Sequence, residues 1–291
     1  MEDMSAEVSE PGAIRDFARR GAAVDGKTLA LLLAMGIGFP WIVWQHAAGN
    51  LPFWAGFLLA SILMNLSFAA WHEPSHGNFS SWETVNHAAG FLASFFSLYP
   101  GYFARRREHL IHHRWEGVPG KDPVYARIQT GFLGFPFRLA GLTLKGQPLD
   151  VPVHFLPITS GQRFSDGLST ALVAGAVLLS FLFGFWKSLI GLWVLPRIAI
   201  FFLHAYYVFF FPHAMDGGGY EVHRVREGGF WLRFITVDQN YHGIHHRWPF
   251  IPWHRYREVL DRCPREVEAA GIRLVHGLKR PREDSNLRPP V

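Results

Sequence analysis

Nine of the sixteen histidines in this chain follow a repeated pattern: His72 and His76, then His109, His112 and His113, then His213 alone, then His242, His245 and His246. Neutral imidazole is a ligand for iron, copper, zinc or nickel, and a helix stacks positions i, i+3 and i+4 on one face. The two HxxHH runs are therefore two ligand faces of identical spacing. A structural zinc is closed by about four ligands and a catalytic zinc usually takes about three, so this many clustered imidazoles exceed the needs of one zinc. Two metal ions are the simpler count.

An isolated histidine is more often a satisfied structural group than a ligand. His46, His87, His154, His204, His223, His254 and His276 are read that way, with His223 as a reserve ligand. A ligating imidazole normally donates its other N–H to a carboxylate or carbonyl. Glu73, Glu108, Asp122, Asp216 and Asp238 lie beside the boxes as candidate acceptors. The alternative reading of each is ordinary solvated loop charge.

These residues need elements to hold them, and the hydropathy pattern supplies four. Leu29 to Ala47, Leu51 to Trp71, Leu168 to Trp186 and Ser188 to Phe211 are apolar and long enough for a bilayer core, which takes roughly 20 residues of helix. The mean hydropathy of +0.09 is only slightly positive because these spans alternate with long basic polar segments. Arg197 is the one charge within the spans. Its cost in hydrocarbon means that it faces protein, water or a polar substrate group, or else that the fourth span starts later than Ser188, which is the preferred reading. Arg15, Arg19, Arg20 and Lys27 precede the first span, whereas the short connections after the first and third spans add only Lys187. Positive charge marks the cytoplasmic side, so both termini and all nine histidines are expected there. The first span reads as an anchor and no signal peptide is expected.

The stretch from Ala88 to Phe103 is apolar but broken by Pro100 and Gly101, which predicts an interfacial or re-entrant helix, and Gly131 to Leu144 reads similarly. Arg255 to Arg273 is amphipathic and basic. The expected fold is all-α: a polytopic membrane protein with four transmembrane helices, interfacial helices and a cytoplasmic helical cap holding the metal site. Residues 1–28 read as a cytoplasmic segment, 29–275 as one membrane domain and 276–291 as a disordered tail. The single Cys263 excludes an intramolecular disulfide and a CxxC motif.

The boxes His72-Glu-Pro-Ser-His76, His109-Leu-Ile-His112-His113 and His242-Gly-Ile-His245-His246 resemble the three histidine boxes of the membrane fatty acid desaturase superfamily. The longer string from Gln239 to Trp253 resembles the desaturase-like carotenoid β-ring hydroxylases in particular. Box one differs from that pattern in carrying Glu73 where an aspartate is usual, and Arg114 stands where a further histidine would follow His113. The lone His213 matches the isolated histidine that this superfamily places after its last span. The resemblance implies a di-iron centre ligated by all nine histidines, with dioxygen as co-substrate. It also implies oxidation of an unactivated C–H bond in a fatty acyl chain or a carotenoid ring, by desaturation or hydroxylation.

Other classes are weighed against it. His72 to His76 also satisfies HExxH, so a zinc-dependent membrane hydrolase or intramembrane metalloprotease is an alternative, although Pro74 is expected to disrupt the helix which that motif uses. A non-enzymatic membrane metal-binding protein is a second alternative, disfavoured because a carrier spreads its ligands through the membrane depth. No flavin, nicotinamide or iron–sulfur fingerprint is present, so electrons are expected from an external ferredoxin or cytochrome. The net charge of +5 and the arginines at 105–107 and 255–265 suit an acidic carrier or anionic headgroups. Nucleic acid is not indicated.

Overall fold

The computed structural model describes residues 12–18, 23–99, 101–128, 134–137, 150, 155–213 and 220–276. After a short turn of helix, α1 (Gly12–Arg15), come α2 (Gly26–Ala47) and α3 (Phe53–His76). They form an antiparallel pair whose ends are fixed by local chemistry. Asp25 Oδ1 accepts the Thr28 N–H at 2.8 Å and caps α2. Pro52 fixes the extended entry to α3, and Gly77 at φ 77° closes it, a backbone region where glycine carries no steric penalty.

The described residues contain four helices long and apolar enough to cross a membrane: α2, α3, α7 (Ser160–Leu182) and α8 (Trp186–His213). Between them lie α4 (Glu83–Phe96), α5 (Tyr102–Arg114) and the single turn α6 (Tyr125–Ile128). Met35, Phe39, Met64, Phe68 and Leu192 are buried where α2, α3 and α8 meet. In contrast α7 leaves Phe164, Leu172, Leu178 and Leu182 exposed, an apolar outer face suited to lipid. Thr159 and Gln162 form a capping box that starts α7 two turns before its apolar run, and Gly184 at φ 77° ends it before Trp186.

The apolar stretch expected from Ala88 to Phe103 is divided between two helices. α4 starts earlier, at Glu83, and buries Asn86, Ala89, Gly90, Ala93 and Ser94, the i, i+3, i+4 stripe of an amphipathic helix. α5 begins afresh at Tyr102, where Asp166 from α7 accepts the Phe103 and Ala104 N–H groups at 2.9 and 3.0 Å. Most of the stretch from Gly131 to Leu144 lies outside the described residues, as does the tail from residue 277.

Arg197 lies inside α8 and not ahead of it, because the helix runs without a break from Trp186. The guanidinium is accommodated by protein: it sits over the Tyr99 ring, 4.6 Å from its centre. Two π-helical stretches, Ile190–Val194 and Ala205–Phe210, interrupt the α repeat of α8, the second just before His213.

The cap beyond α8 is mixed, not purely helical. Strand β1 (Arg224–Glu227) pairs in parallel with β2 (Arg273–His276), Arg224 opposite Arg273 and Glu227 opposite His276. Between the strands come α9 (Phe230–Thr236), α10 (His242–Arg247), α11 (Tyr256–Arg262) and α12 (Pro264–Ala269), so the basic amphipathic run from Arg255 is broken into two helices and a strand. Tyr241, Ile244, Trp248, Ile251, Tyr256 and Val259 form the buried core of this cap.

Candidate metal centre

Four helix ends converge. α3 delivers His72 and His76 from its last turn, α5 delivers His109, His112 and His113 from its last two turns, α8 ends on His213, and α10 carries His242, His245 and His246. The nitrogens fall into two compact groups, His72 with His76, His109 and His245, and His112 with His213, His242 and His246. His113 lies between them, within reach of both His245 and His246.

The ring nitrogens are sorted by position. His72 Nδ1 donates to Glu73 Oε1 at 2.9 Å and His112 Nδ1 to Asp122 Oδ1 at 2.9 Å. His242 Nδ1 donates to Gln239 Oε1 at 3.2 Å, His245 Nδ1 to the Tyr256 hydroxyl at 2.9 Å and His246 Nδ1 to Glu116 Oε2 at 2.8 Å. His213 Nδ1 donates to the Phe209 carbonyl. With Nδ1 holding the proton, each Nε2 presents a bare lone pair.

The Nε2 atoms face one another, and in the pairs His72–His245, His112–His246, His213–His112 and His242–His213 both partners carry such a lone pair. Nε2 to Nε2 separations are 3.2 Å for His72 and His245, 2.7 Å for His76 and His109, and 2.9 Å for His245 and His113. In the second group they are 3.2 Å for His112 and His246, 3.0 Å for His213 and His112, and 2.9 Å for His242 and His213. Acceptor against acceptor is repulsive unless a cation lies between them. Two imidazole nitrogens each about 2.1 Å from one ion, at a right angle, would lie about 3 Å apart. The residues present thus fit two metal ions held by imidazole, with the neighbouring carboxylates orienting rings instead of touching metal.

Burial and mutual proximity give the cluster its protonation state. His109, His113, His242, His245 and His246 are held well below the ordinary histidine pKa of 6.5, first by burial and then by neighbouring imidazoles. Burial alone would raise the Asp122 carboxyl. The hydrogen bond and charge of His112, with the Tyr220 hydroxyl and the Gly117 N–H, instead bring it down to about 2. Glu116 is pushed up by burial, opposed by His223 and His112.

Of the five acceptors expected from sequence, Glu73 and Asp122 take ring protons. Glu108 is engaged by Arg127 and Asp238 by Arg233, at 2.6 Å, so neither holds a histidine. Asp216 lies outside the described residues. Glu116, Gln239, Tyr256 and the Phe209 carbonyl take the vacant roles. Glu116 and Gln239 each lie three residues from a box and were within reach of a proximity argument, whereas Tyr256 arrives from α11 and only the fold brings it in.

Pro74 does not break α3, which runs on to His76; it forgoes its own bond to the Ala70 carbonyl, and only two residues of helix follow it. Glu73 is turned away from the Nε2 groups: its second oxygen accepts from Trp253 N at 3.1 Å and Asn78 Nδ2 at 3.2 Å. It is not aimed at metal-bound water as the base of an HExxH protease must be. Among the other histidines, His46 bonds the Leu51 carbonyl, His204 bonds Asn65, and His254 pairs with Asp25 at 2.9 Å. His87 lies 3.3 Å from Glu83, His223 lies 3.5 Å from Glu116, and His154 is outside the described residues.

A cavity of about 50 Å³ opens on the cluster, walled by Phe68, Trp71, Val208 and Phe209 on its apolar side and reaching Arg105 and Tyr99. A second cavity of about 410 Å³, almost wholly apolar, lies between α2, α4, α7 and α8.

Comparison with known proteins gives a consistent set. The fatty acid desaturase family matches residues 28–277. A protein described as a probable fatty acid desaturase from Sorghum bicolor is 28% identical over 278 residues, covering 79% of this chain and 68% of that one. A zeaxanthin 4-ketolase from Chlamydomonas reinhardtii is 25% identical over 271 residues, covering 87% of this chain and 55% of the ketolase, so the chain spans little more than half that relative's length.

Proposed function

The chain belongs to the fatty acid desaturase family, and from that premise we propose that it is a membrane-bound, dioxygen-dependent di-iron enzyme oxidising a C–H bond of a lipid, either a fatty acyl chain or a carotenoid ring. The observation that carries this reading is the convergence of nine imidazoles, Nε2 inward, in two groups that a third contact through His113 joins. His72, His76, His109, His113 and His245 would hold one iron, and His112, His213, His242 and His246 the other. Iron held this way supplies dioxygen binding and an oxidising centre whose positive charge no carboxylate ligand offsets.

The chain's own residues then do the rest. Glu73, Asp122 and Glu116 accept Nδ1 protons and fix each ring's tautomer and tilt. Phe68, Trp71 and Phe209 exclude water beside the cluster, and the apolar volume of about 410 Å³ is suited to hydrocarbon. The basic segments next to the histidine-bearing helix ends favour a cytoplasmic site, with electrons arriving from a ferredoxin or cytochrome. A desaturase and a ketolase among the relatives keep both acyl and carotenoid substrates in view.

The test is mass spectrometry of lipids and carotenoids from a β-carotene-producing bacterial host expressing the wild type or His245→Ala with a ferredoxin system. Oxidised product and about two bound irons per chain are expected from the wild type alone. Equal turnover by His245→Ala, or a purified protein loaded only with zinc and inert to dioxygen, would overturn the reading.

A further inference from the structure

Two guanidinium groups lie beside the metal cavity and, among the described residues, neither makes an ion pair; Asp166, on the Phe103 and Ala104 N–H groups, is the acid whose charge reaches Arg105. Arg105 is 9% exposed and projects from α5 one helical turn before His109. Its carbon Cζ is 3.8 Å from the centre of the Tyr99 ring and 4.6 Å from that of Trp71. Nη2 donates to Ser94 Oγ at 2.5 Å and to the Tyr99 carbonyl, but Nε and Nη1 are buried with no hydrogen-bond partner among the described residues. Arg197 comes from the opposite wall, on α8, and lies over the same Tyr99 ring at 4.6 Å. Among the described residues it has no ion pair.

The two arginines face adjoining spaces. Arg105 lines the cavity that reaches His72, His109 and His112. Arg197 lines a small neighbouring one with Ser97 and His204, and Phe68, Trp71, Tyr99 and Phe209 border both. The acid nearest by lining, Glu108, is already paired with Arg127. Ring stacking offsets only part of the desolvation of a guanidinium, and a buried charge left unpaired is strongly destabilising. Nε and Nη1 lie on different edges of the guanidinium, so each is a separate donor left over for an anionic oxygen.

We propose that the carboxylate end of the lipid substrate is held in a buried cradle in which Arg105 donates to it and Arg197 adds its charge from the adjoining space, so that the enzyme takes a free lipid acid. The inference rests on the lipid-oxidation reading and narrows its substrate class.

The experiment is competition binding of tritiated palmitate to the iron-loaded, full-length protein in nanodiscs, with unlabelled palmitate and methyl palmitate as competitors. Palmitate is expected to compete at least about tenfold better than its ester. Arg105→Gln and Arg197→Gln should each erase most of that preference, and Arg105→Lys, which keeps the charge, should retain part of it. Equal competition by acid and ester in the wild type, or an undiminished preference in both glutamine variants, overturns the cradle. Should Arg105→Gln fail to fold, Arg197→Gln and Arg105→Lys decide. Acid preference without any oxidised lipid counts against the oxidation reading, whereas oxidised lipid without acid preference counts against the cradle alone.

Discussion

Six imidazoles of the cluster, His72, His112, His213, His242, His245 and His246, do two jobs with two nitrogens, and the outer one is the more exposed to mutation by conservative change. Asp122 accepts from His112 Nδ1, Gly117 N, Val124 N and the Tyr220 hydroxyl at 2.6 to 2.9 Å. Asp122→Asn would point an N–H into this ring of donors. We expect metal affinity to fall roughly 10–100-fold, read by metal content after dialysis against a graded chelator. Acid has a related effect on the metal-free protein. Unfolded, these histidines bind protons near pH 6.5; folded, His109, His113, His242, His245 and His246 do so only well below it. Protons thus favour the unfolded chain, so stability is level above about pH 6.5 and falls as the pH drops below it. Thermal melts of chelator-treated protein in detergent from pH 8 to pH 5 should show that decline, and a flat profile would contradict neutral burial of the rings.

Helix placement depends on close backbone approach at one glycine in particular. A Cβ on Gly243 would lie 2.7 Å from Arg224 N and 3.0 Å from Arg224 O, main-chain atoms of β1 that cannot swing aside. Gly243→Ala should therefore push α10 off β1 and displace His242, His245 and His246 together. Overpacking of this kind costs ~1–3 kcal/mol, and the metal content of the variant should fall with its melting temperature. The π-helical stretch Ala205–Phe210 is the other element-scale device, because its wider turn resets the angular position of everything after it, His213 included. No sequence periodicity announces it. Boundaries behaved similarly: the second apolar run reads as ending at Trp71, yet α3 continues to His76, since helix geometry carries the polar box on the end of an apolar span.

At the scale of the molecule, one end of the four-helix membrane unit is closed by the cap and the outer face of α7 is left to lipid. Leu172 lies near the middle of α7 and is 45% exposed. Leu172→Arg should disfavour membrane insertion by ~2.5–3.5 kcal/mol, seen as loss of protein from the membrane fraction, whereas the same change on an exposed part of the cap should not. The parallel β1–β2 ladder ties the last described residues back to the segment that follows His213, with Arg273 N donating to the His223 carbonyl at 2.9 Å. That closure holds α10 between β1 and the cap core of Trp248 and Tyr256.

The sequence by itself determined the membrane-spanning class and which histidines share a helix face, because hydropathy length and the 3.6-residue repeat are local properties. It also marked Glu73 and Asp122 as ring acceptors, each close to the box it serves. Only the tertiary structure decided how the nine imidazoles divide into groups, since that partition depends on four helix ends meeting across 173 residues between His72 and His245. It alone diverted Glu108 and Asp238 to arginines, brought Tyr256 to His245, and stacked Arg105 and Arg197 on one ring. Long-range packing makes those choices, and no local pattern records them.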